Sequence, residues 1–329
     1  MLCILYVTVV GTCLGIVGLL VERMLPATAP RRWIWCLVIP SSMVLPGYYR
    51  WHHNWSVIPA LEQQQASTPL GRSLETASLS LFDPAWWAHT ESYNASIHRL
   101  WLVISGMLLI WGVTSAIRIS LIVSSSRRGR PDPRQPTIVD GVPVVVTDVA
   151  GPATVGLLRS RVLVPRWVLA LPGMQRRYVV RHEEEHRRAH DARLLFVASL
   201  PLLLMPWNLA MWWHLRRLCL AVEMDCDNRV VAALGDANAY GELLLKVAQA
   251  TNRSPRLQPA LLGVGTLERR LTKLLEPAPL RQIQLFMLAV VVLGLVCVVL
   301  WMPHPIVGSG HEAHITTTSA ATTTAPRLR

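Results

Sequence analysis

The stretch Arg181–Asp191 reads RHEEEHRRAHD and combines three histidines with three adjacent glutamates. If it is helical, His182 and His186 lie one turn apart on one face and can bind a single metal ion. Glu183 directly follows the first of them, where its carboxylate can take a proton from a metal-polarised water. Zn²⁺ lowers the pKa of such a water toward neutrality, and the resulting hydroxide attacks a polarised carbonyl. The pattern therefore predicts a zinc-dependent hydrolytic site.

The same letters also fit an ordinary charged helix face exposed to solvent. A His-Glu-x-x-His pattern arises by chance in roughly one shuffled chain in a hundred of such a composition, so it is only suggestive by itself. A catalytic zinc also needs three protein ligands and one open position, and this helix supplies two histidines. A third ligand must come from elsewhere in the chain.

His190 is a poor third ligand, because on one helix it lies about 12 Å along the axis from His182. Glu223 is the better candidate, in the stretch LAVEMDCDNRVVAAL (Leu220–Leu234). It can complete a set of two histidines and one carboxylate. Asp227, one helical turn later, can orient a ligand histidine or form an ordinary salt bridge, and Asp191 is a second candidate for such a supporting role.

The composition points to an integral membrane protein. The 329 residues are 52% hydrophobic and only 16% charged, whereas soluble domains carry about 25% charged residues. The formal charge of +12 comes without a repeated basic and aromatic pattern, so direct binding of nucleic acid is not predicted. In a membrane protein, Lys and Arg instead mark the loops on the cytoplasmic side.

Four apolar segments are predicted to cross the membrane. They are Leu2–Leu20, Trp33–Tyr49, Leu102–Val123 and Ile283–Met302. The second is the weakest, because it contains Pro40 and Pro46. The basic residues in the loops place the N-terminus outside and the segment after the third span inside.

This topology divides the chain into four parts. Residues 1–124 contain three transmembrane helices and an extracytoplasmic loop at 50–100, and residues 125–282 form a cytoplasmic peptidase domain. Residues 283–303 are the last transmembrane helix, and residues 304–329 are expected to be a short disordered extracytoplasmic tail.

A further apolar run, Leu194–Trp213, is long enough to cross the membrane but contains two prolines and Asn208. If His182, His186 and Glu223 bind one ion, this run must return to the side from which it started. It is therefore predicted to dip into the membrane as a hairpin or to pack against the helix bundle.

The stretch Val144–Asp227 resembles a family of membrane metallopeptidases. These are the antirepressor sensor-transducers of β-lactam resistance, of the penicillinase and methicillin-resistance regulator type. The resemblance rests on GPATVGLLRSRVLVPRWVL (Gly151–Leu169), HEEEHRRAHD (His182–Asp191), PWN (Pro206–Asn208) and EMDCD (Glu223–Asp227), with weaker echoes in AYGELLLKV (Ala239–Val247) and LERRLTKLL (Leu267–Leu275).

The resemblance implies a gluzincin-type site, with Zn²⁺ on His182, His186 and Glu223 and with Glu183 as general base. It also implies the bacterial inner (cytoplasmic) membrane, a cytoplasmic active site, and regulated cleavage of a transcriptional repressor or of the chain itself. The 27 residues after Met302 are too few for the penicillin-binding sensor domain of those proteins, so sensing of β-lactams through such a domain is not expected.

The expected fold is mainly α-helical: about four transmembrane helices, a membrane-associated hairpin and a gluzincin-like α+β zinc peptidase domain with a small β-sheet. Thr137–Val149 is predicted to be a β-hairpin that turns at Asp140–Gly141, and Ala153–Pro165 to form further strands. This sheet either offers an edge to an extended substrate or is purely structural.

Three functions compete for this sequence. The first is a regulatory zinc endopeptidase acting on a cytoplasmic or juxtamembrane protein. The second is a quality-control peptidase with broader substrates, which the genetic neighbourhood would distinguish. The third is a non-catalytic signalling scaffold that holds no stoichiometric zinc. The predicted partners are a protein substrate and the lipid bilayer, and homo-oligomerisation is left open.

Overall fold

A computed structural model describes residues 2–26, 29–56, 91–128, 137–147, 151–252, 265–275 and 282–301. Most of the expected extracytoplasmic loop and the whole of the expected tail lie outside these residues. Within the described part the protein is mostly helical and carries a small mixed sheet, as predicted.

The described residues of the N-terminal part form three long helices. They are α1 (Leu2–Met24), α2 (Arg32–Ser56) and α3 (Glu91–Arg128). Helix α2 continues through Pro40 and Pro46, the two prolines that make Trp33–Tyr49 the weakest of the four predicted spans.

Two described helices are long and apolar enough to cross a membrane. They contain the segments Ile4–Met24 in α1 and Ser96–Leu121 in α3. In the second segment, no residue of the most apolar stretch is buried inside the protein. The core helix of a soluble protein would instead be mostly buried. The apolar stretches Arg32–Pro46 and Gln284–Cys297 are shorter.

The sheet consists of four strands in the order β1-β2-β4-β3. The strands are β1 (Thr137–Val139), β2 (Val142–Thr147), β3 (Ala153–Val155) and β4 (Arg161–Pro165). The first two form the predicted hairpin, in which Asp140 and Gly141 take positive φ angles of 49° and 80°. This is the backbone that a two-residue hairpin turn requires, and Asp-Gly favours it. Strand β3 lies at the opposite edge and pairs antiparallel with β4.

The remaining helices follow the sheet. They are α4 (Arg166–Leu169), α5 (Gly173–Arg188), α6 (Asp191–Leu204), α7 (Leu209–Leu234), α8 (Ala237–Asn252), α9 (Gly265–Leu275) and α10 (Gln282–Trp301). The valines of β2 and β4 pack with Tyr178 of α5, Val230 of α7 and Tyr240 of α8 in one core. This packing fixes α5 against the sheet.

Residues 175–196 contain no glycine or proline, which predicts one continuous helix, and this prediction is wrong. Helix α5 ends at Arg188, and His190 takes a left-handed φ of 56° before α6 begins at Asp191. His190 itself is exposed. The break redirects the chain, so that the Asp191 carboxylate comes back toward His186.

The apolar run Leu194–Trp213 is divided between two helices. Helix α6 ends at Leu204, and α7 starts at Leu209 after Asn208, whose side chain accepts hydrogen bonds from the backbone N–H groups of Ala210 and Met211. Asn208 is thus an N-cap, which explains why an asparagine lies inside this run.

Helix α7 also packs closely against the N-terminal helices. Trp35 of α2 and Leu218 of α7 lie in a second buried core. A Cβ atom at Gly15 of α1 would lie 2.2 Å from Trp213 and 2.5 Å from His214, so α1 and α7 can only approach this closely at a glycine.

Candidate metal centre

The two histidines of α5 face each other across one helical turn. Their Nε2 atoms are 3.1 Å apart, and both imidazoles are largely buried. Helix α7 brings Glu223 to the same point: its Oε2 is 3.6 Å from Nε2 of His182, and its Oε1 is 3.6 Å from Nε2 of His186.

These separations fit a common tetrahedral ion. Two ligand atoms at about 2.0–2.1 Å from Zn²⁺ lie about 3.3 Å from each other. The three donor pairs of His182, His186 and Glu223 lie close to this value. The donor set and its spacing therefore fit a divalent metal.

Cys226 provides a second way to assemble three donors. One ligand atom each from His182, His186 and Cys226 can be chosen so that all lie within 4.8 Å of one another. The Cys226 Sγ, however, lies 3.4 Å from Nδ1 of His182 and 3.3 Å from the His182 carbonyl oxygen, to which it donates. The Cys226 sulfur thus lies near Nδ1 of His182, the ring nitrogen that the Tyr240 hydroxyl also contacts.

Tyr240 orients the ring of His182. Its hydroxyl donates to Oδ1 of Asp227 at 2.7 Å, and its oxygen lies 2.9 Å from Nδ1 of His182. Because a carboxylate can only accept, the hydroxyl proton goes to Asp227, and the oxygen accepts from the Nδ1–H of His182. The lone pair of His182 is then on Nε2, toward His186 and Glu223.

Asp227 is held in turn by an arginine from α9. Arg270 donates to both Asp227 oxygens at 2.7 and 2.8 Å, and its NH1 group lies 3.0 Å from Oε2 of Glu223. Asp227 itself is 3.5 Å from Nδ1 of His182. The aspartate therefore acts on this histidine mainly through Tyr240, while Arg270 joins the carboxylates of α7.

Asp191 supports the other histidine directly. Its Oδ2 is 2.8 Å from Nδ1 of His186, which places that ring's lone pair on Nε2 as well. Its Oδ1 accepts from Arg32 of α2 at 2.5 Å. Arg32 also donates to Asp225, and Asp225 accepts from the backbone N–H groups of Arg31 and Arg32 at the start of α2.

The charges around the donor atoms favour a cation between them. Burial opposes protonation of His182, but Cys226 and Glu223 outweigh it and raise its pKa to about 10. The pKa of His186 is also raised against burial by Cys226, Glu223 and Asp191. Burial alone would raise the pKa of Glu223, but Arg270 and the histidines lower it. The acidic donors therefore attract either protons or a metal ion.

Glu183 lies between α5 and the edge strand β3. Its side chain is buried, and Thr154 of β3 places its hydroxyl oxygen 2.6 Å from the Glu183 carbonyl oxygen and 3.1 Å from Oε2. The neighbouring glutamates have other partners: Glu184 binds Arg187 and Arg188, and Glu185 binds Arg181 and Arg229. The three consecutive glutamates thus have separate surroundings.

Several contributors to the site were not predicted. Arg32 is one of the basic loop residues from which the membrane orientation is predicted, yet it is buried. Tyr240 and Arg270 lie in segments that carried the weak family echoes AYGELLLKV and LERRLTKLL. This weak similarity is the one sequence feature that could have identified Tyr240 and Arg270, since their spacing does not predict a contact with α5.

The amino-acid sequence of this chain matches a known protein family. The model of the BlaR1 peptidase M56 family matches residues 1–274. The chain belongs to this family. The M56 family membership confirms the resemblance seen in the motifs, and it implies a metallopeptidase with a metal cofactor and a protein substrate. Together with the two apolar helices, it indicates a membrane protein. No curated protein and no solved structure gave a significant match.

Proposed function

We propose that this M56 protein is a membrane-embedded zinc metalloendopeptidase of gluzincin type. It cleaves a cytoplasmic or juxtamembrane protein, a transcriptional repressor or the chain itself, in regulatory signalling. The observation that carries the proposal is the convergence of Nε2 of His182, Nε2 of His186 and the Glu223 carboxylate within 3.1 to 3.6 Å.

In this proposal His182, His186 and Glu223 hold the Zn²⁺. Glu223 is favoured over Cys226 because its side chain is 21% exposed, whereas Cys226 is completely buried. A catalytic zinc needs an open position for substrate, and a carboxylate at the surface of the site leaves one. When bound, the metal supplies Lewis acidity that polarises a peptide carbonyl and acidifies water.

Glu183 acts as the general base and Thr154 helps it to hold the proton. The single hydroxyl hydrogen of Thr154 is directed to the Glu183 carbonyl oxygen, which is its closer acceptor. Its oxygen lone pair then faces Oε2. Once Glu183 has taken a proton, Oε2 can donate to this lone pair, so that the protonated carboxyl group keeps a hydrogen-bond partner.

The edge strand β3 offers a surface for the substrate backbone. It is the last strand of the four in spatial order, and only β4 pairs with it among the described strands. Through Thr154 it touches Glu183. An extended substrate that adds to this edge would pass beside the general base.

The proposed topology has four membrane spans and places the site on the cytoplasmic side. Residues 1–124 and 283–303 provide the spans, and residues 125–282 form the peptidase domain. The segment 194–213 enters the membrane only partly. Its support is the row of exposed apolar side chains near the turn between α6 and α7, including Val197, Leu204 and Leu209.

The three consecutive glutamates provide an internal control for the test. Glu183→Gln removes the general base, and we expect the rate of cleavage to fall by at least about 100-fold. Glu184→Gln changes a neighbouring buried carboxylate that only binds Arg187 and Arg188, so cleavage should continue. The assay measures self-cleavage and cleavage of an unfolded probe, β-casein, by the full-length protein in nanodiscs.

Zinc content, measured by atomic spectroscopy, separates an inactive enzyme from a scaffold. The wild type and Glu183→Gln should both retain about one zinc per chain, whereas His182→Ala should lose it. Cleavage by Glu183→Gln at near wild-type rate would refute the role of Glu183. A wild-type protein without stoichiometric zinc would favour the scaffold.

A further inference from the structure

A polar cavity lies at the carboxyl end of α1, and α7 and α9 also contribute to its wall. None of the three proposed zinc ligands is among its described lining residues. Its volume is about 410 Å³. Basic side chains dominate its wall: Arg23, Arg31, Arg217, Arg269 and Lys273, with Glu22 as the one acidic residue.

The single carboxylate is already engaged. Oε2 of Glu22 accepts from Arg217 at 2.6 Å and from the Trp35 indole at 3.1 Å. An adjoining cavity of about 470 Å³ shares much of this wall and adds Glu268. Even with Glu268 counted, five basic residues face two acidic ones among the described residues of this wall, which gives them a positive excess.

Lys273 shows the influence of this wall on a basic group. Burial lowers the pKa of Lys273, and the nearby charge of Arg31 lowers it further, while Glu22 acts in the opposite direction. Like charges at short range repel each other, and a bound anion would remove this repulsion.

The position of the cavity indicates where the anion comes from. Arg23 belongs to the last turn of α1, and α1 contains the apolar segment Ile4–Met24. Leu19 and Trp213 add apolar surface to the same wall. A basic cavity with an apolar side, at the end of a membrane helix, is suited to a phosphate headgroup with its acyl chains in the bilayer.

We propose that this cavity binds the phosphate group of an anionic membrane phospholipid. The guanidinium groups provide paired N–H donors for the phosphate oxygens, and Lys273 provides a further cation. This site is separate from the peptidase reaction and does not depend on it.

A bound phosphate would also hold α9 in place. Arg269 and Lys273 are on α9, while Arg23 and Arg217 are on α1 and α7, so one anion joins three helices. Arg269 directly precedes Arg270, which contacts Glu223 and Asp227. Lipid binding therefore stabilises the helix that delivers this arginine to the metal donors.

The test compares nanodiscs of phosphatidylcholine alone with nanodiscs that also contain phosphatidylglycerol. Native mass spectrometry of the full-length protein measures the retained lipid, and thermal unfolding measures its effect. We expect one retained phosphatidylglycerol and an unfolding temperature higher by several degrees. The double variant Arg269→Gln/Lys273→Gln should lose both effects.

Three control variants test whether the effect is indirect. Arg159→Gln/Arg177→Gln removes the same charge from exposed positions outside the cavity and should behave as the wild type. Arg269→Lys/Lys273→Arg keeps the charge and should retain the lipid, even if the neutral double variant folds poorly. Glu183→Gln should also retain it, so that a failed peptidase proposal leaves this result unaffected.

Inorganic phosphate, added to phosphatidylcholine nanodiscs, distinguishes the two sources of the anion. Equal protection by phosphate, lost in Arg269→Gln/Lys273→Gln, would show that the ligand is a soluble phosphate and not a lipid. If neither probe bound the wild type more tightly than this double variant, the cavity would not be a phosphate site.

Discussion

The two histidines of α5 are supported by the same chemistry from different parts of the chain. His186 is held by Asp191 at the start of α6, and Asp191 is held by Arg32 at the start of α2. His182 is held by Tyr240 of α8, and behind it lie Asp227 and Arg270 of α9. Each series of contacts ends in an arginine that is mostly shielded from solvent, with side-chain exposures of 6% for Arg32 and 14% for Arg270. One series reaches the N-terminal helices, and the other reaches the C-terminal end of the matched region.

The candidate metal centre is therefore connected to the rest of the protein by two separate series of contacts, one through His186 and one through His182. A displacement of α2 would act on His186 through the single carboxylate of Asp191. A movement of α9 acts on His182 through a hydroxyl and an aspartate, and on Glu223 directly through Arg270. The His186 support is therefore shorter and should be the more sensitive of the two.

The largest expected effect comes from breaking the N-terminal support at its end. Arg32→Gln removes the closest cation from the buried carboxylates of Asp191 and Asp225, and we expect a loss of about 3–5 kcal/mol in stability. Thermal unfolding of the full-length protein in nanodiscs measures this. Arg177→Gln, at an exposed position of α5, is the control and should change little. If the Arg32→Gln protein were as stable as the control, the contacts of Arg32 with Asp191 and Asp225 would not contribute to the stability of the fold.

The second prediction compares the loss of zinc affinity after substitution of Asp191 and of Asp227. Asp191→Asn weakens a direct hydrogen bond to a ligand histidine, so zinc affinity should fall by about 10–100-fold. Asp227→Asn acts through Tyr240 and should cause a smaller loss. Competition with a chromogenic chelator measures both, with Asp140→Asn, in the hairpin turn, as the control. Equal losses in the two variants would remove the proposed difference between the two series of contacts.

The smallest effect tests the hydroxyl between Asp227 and His182. Tyr240→Phe removes one hydrogen-bonded group, so we expect about 0.5–1.5 kcal/mol less zinc-binding free energy. Tyr178→Phe removes a comparable hydroxyl, which donates to the Gly235 carbonyl oxygen, and should leave zinc affinity unchanged. If the two phenylalanine variants bound zinc equally well, Tyr240 would have no role in orienting His182.

The parts of the site that could be predicted are those set by local periodicity. His182 and His186 share a helix face because they are four residues apart, and the Asp-Gly turn is recognisable because few dipeptides accept its backbone angles. Glu223 could be proposed because a zinc site with two histidines needs a third donor.

The remaining features depend on contacts between distant segments. The bond from Arg32 to Asp191 spans 159 residues, and the bond from Tyr240 to His182 spans 58. No pattern near Arg32 distinguishes a buried partner of an aspartate from a charge at the end of a membrane helix. The break at His190 was missed for a related reason: the sequence has no glycine or proline there, and the left-handed backbone is imposed by the surrounding structure.

The capping of α2 by Asp225 has a consequence for the order of synthesis. Arg32 leaves the ribosome early, while Asp225, its partner, follows 193 residues later. During translation the first two helices must therefore remain available until α7 has been made. Only then does the nascent chain close around His186, which means that a potentially destructive hydrolase is not assembled before most of its own polypeptide exists.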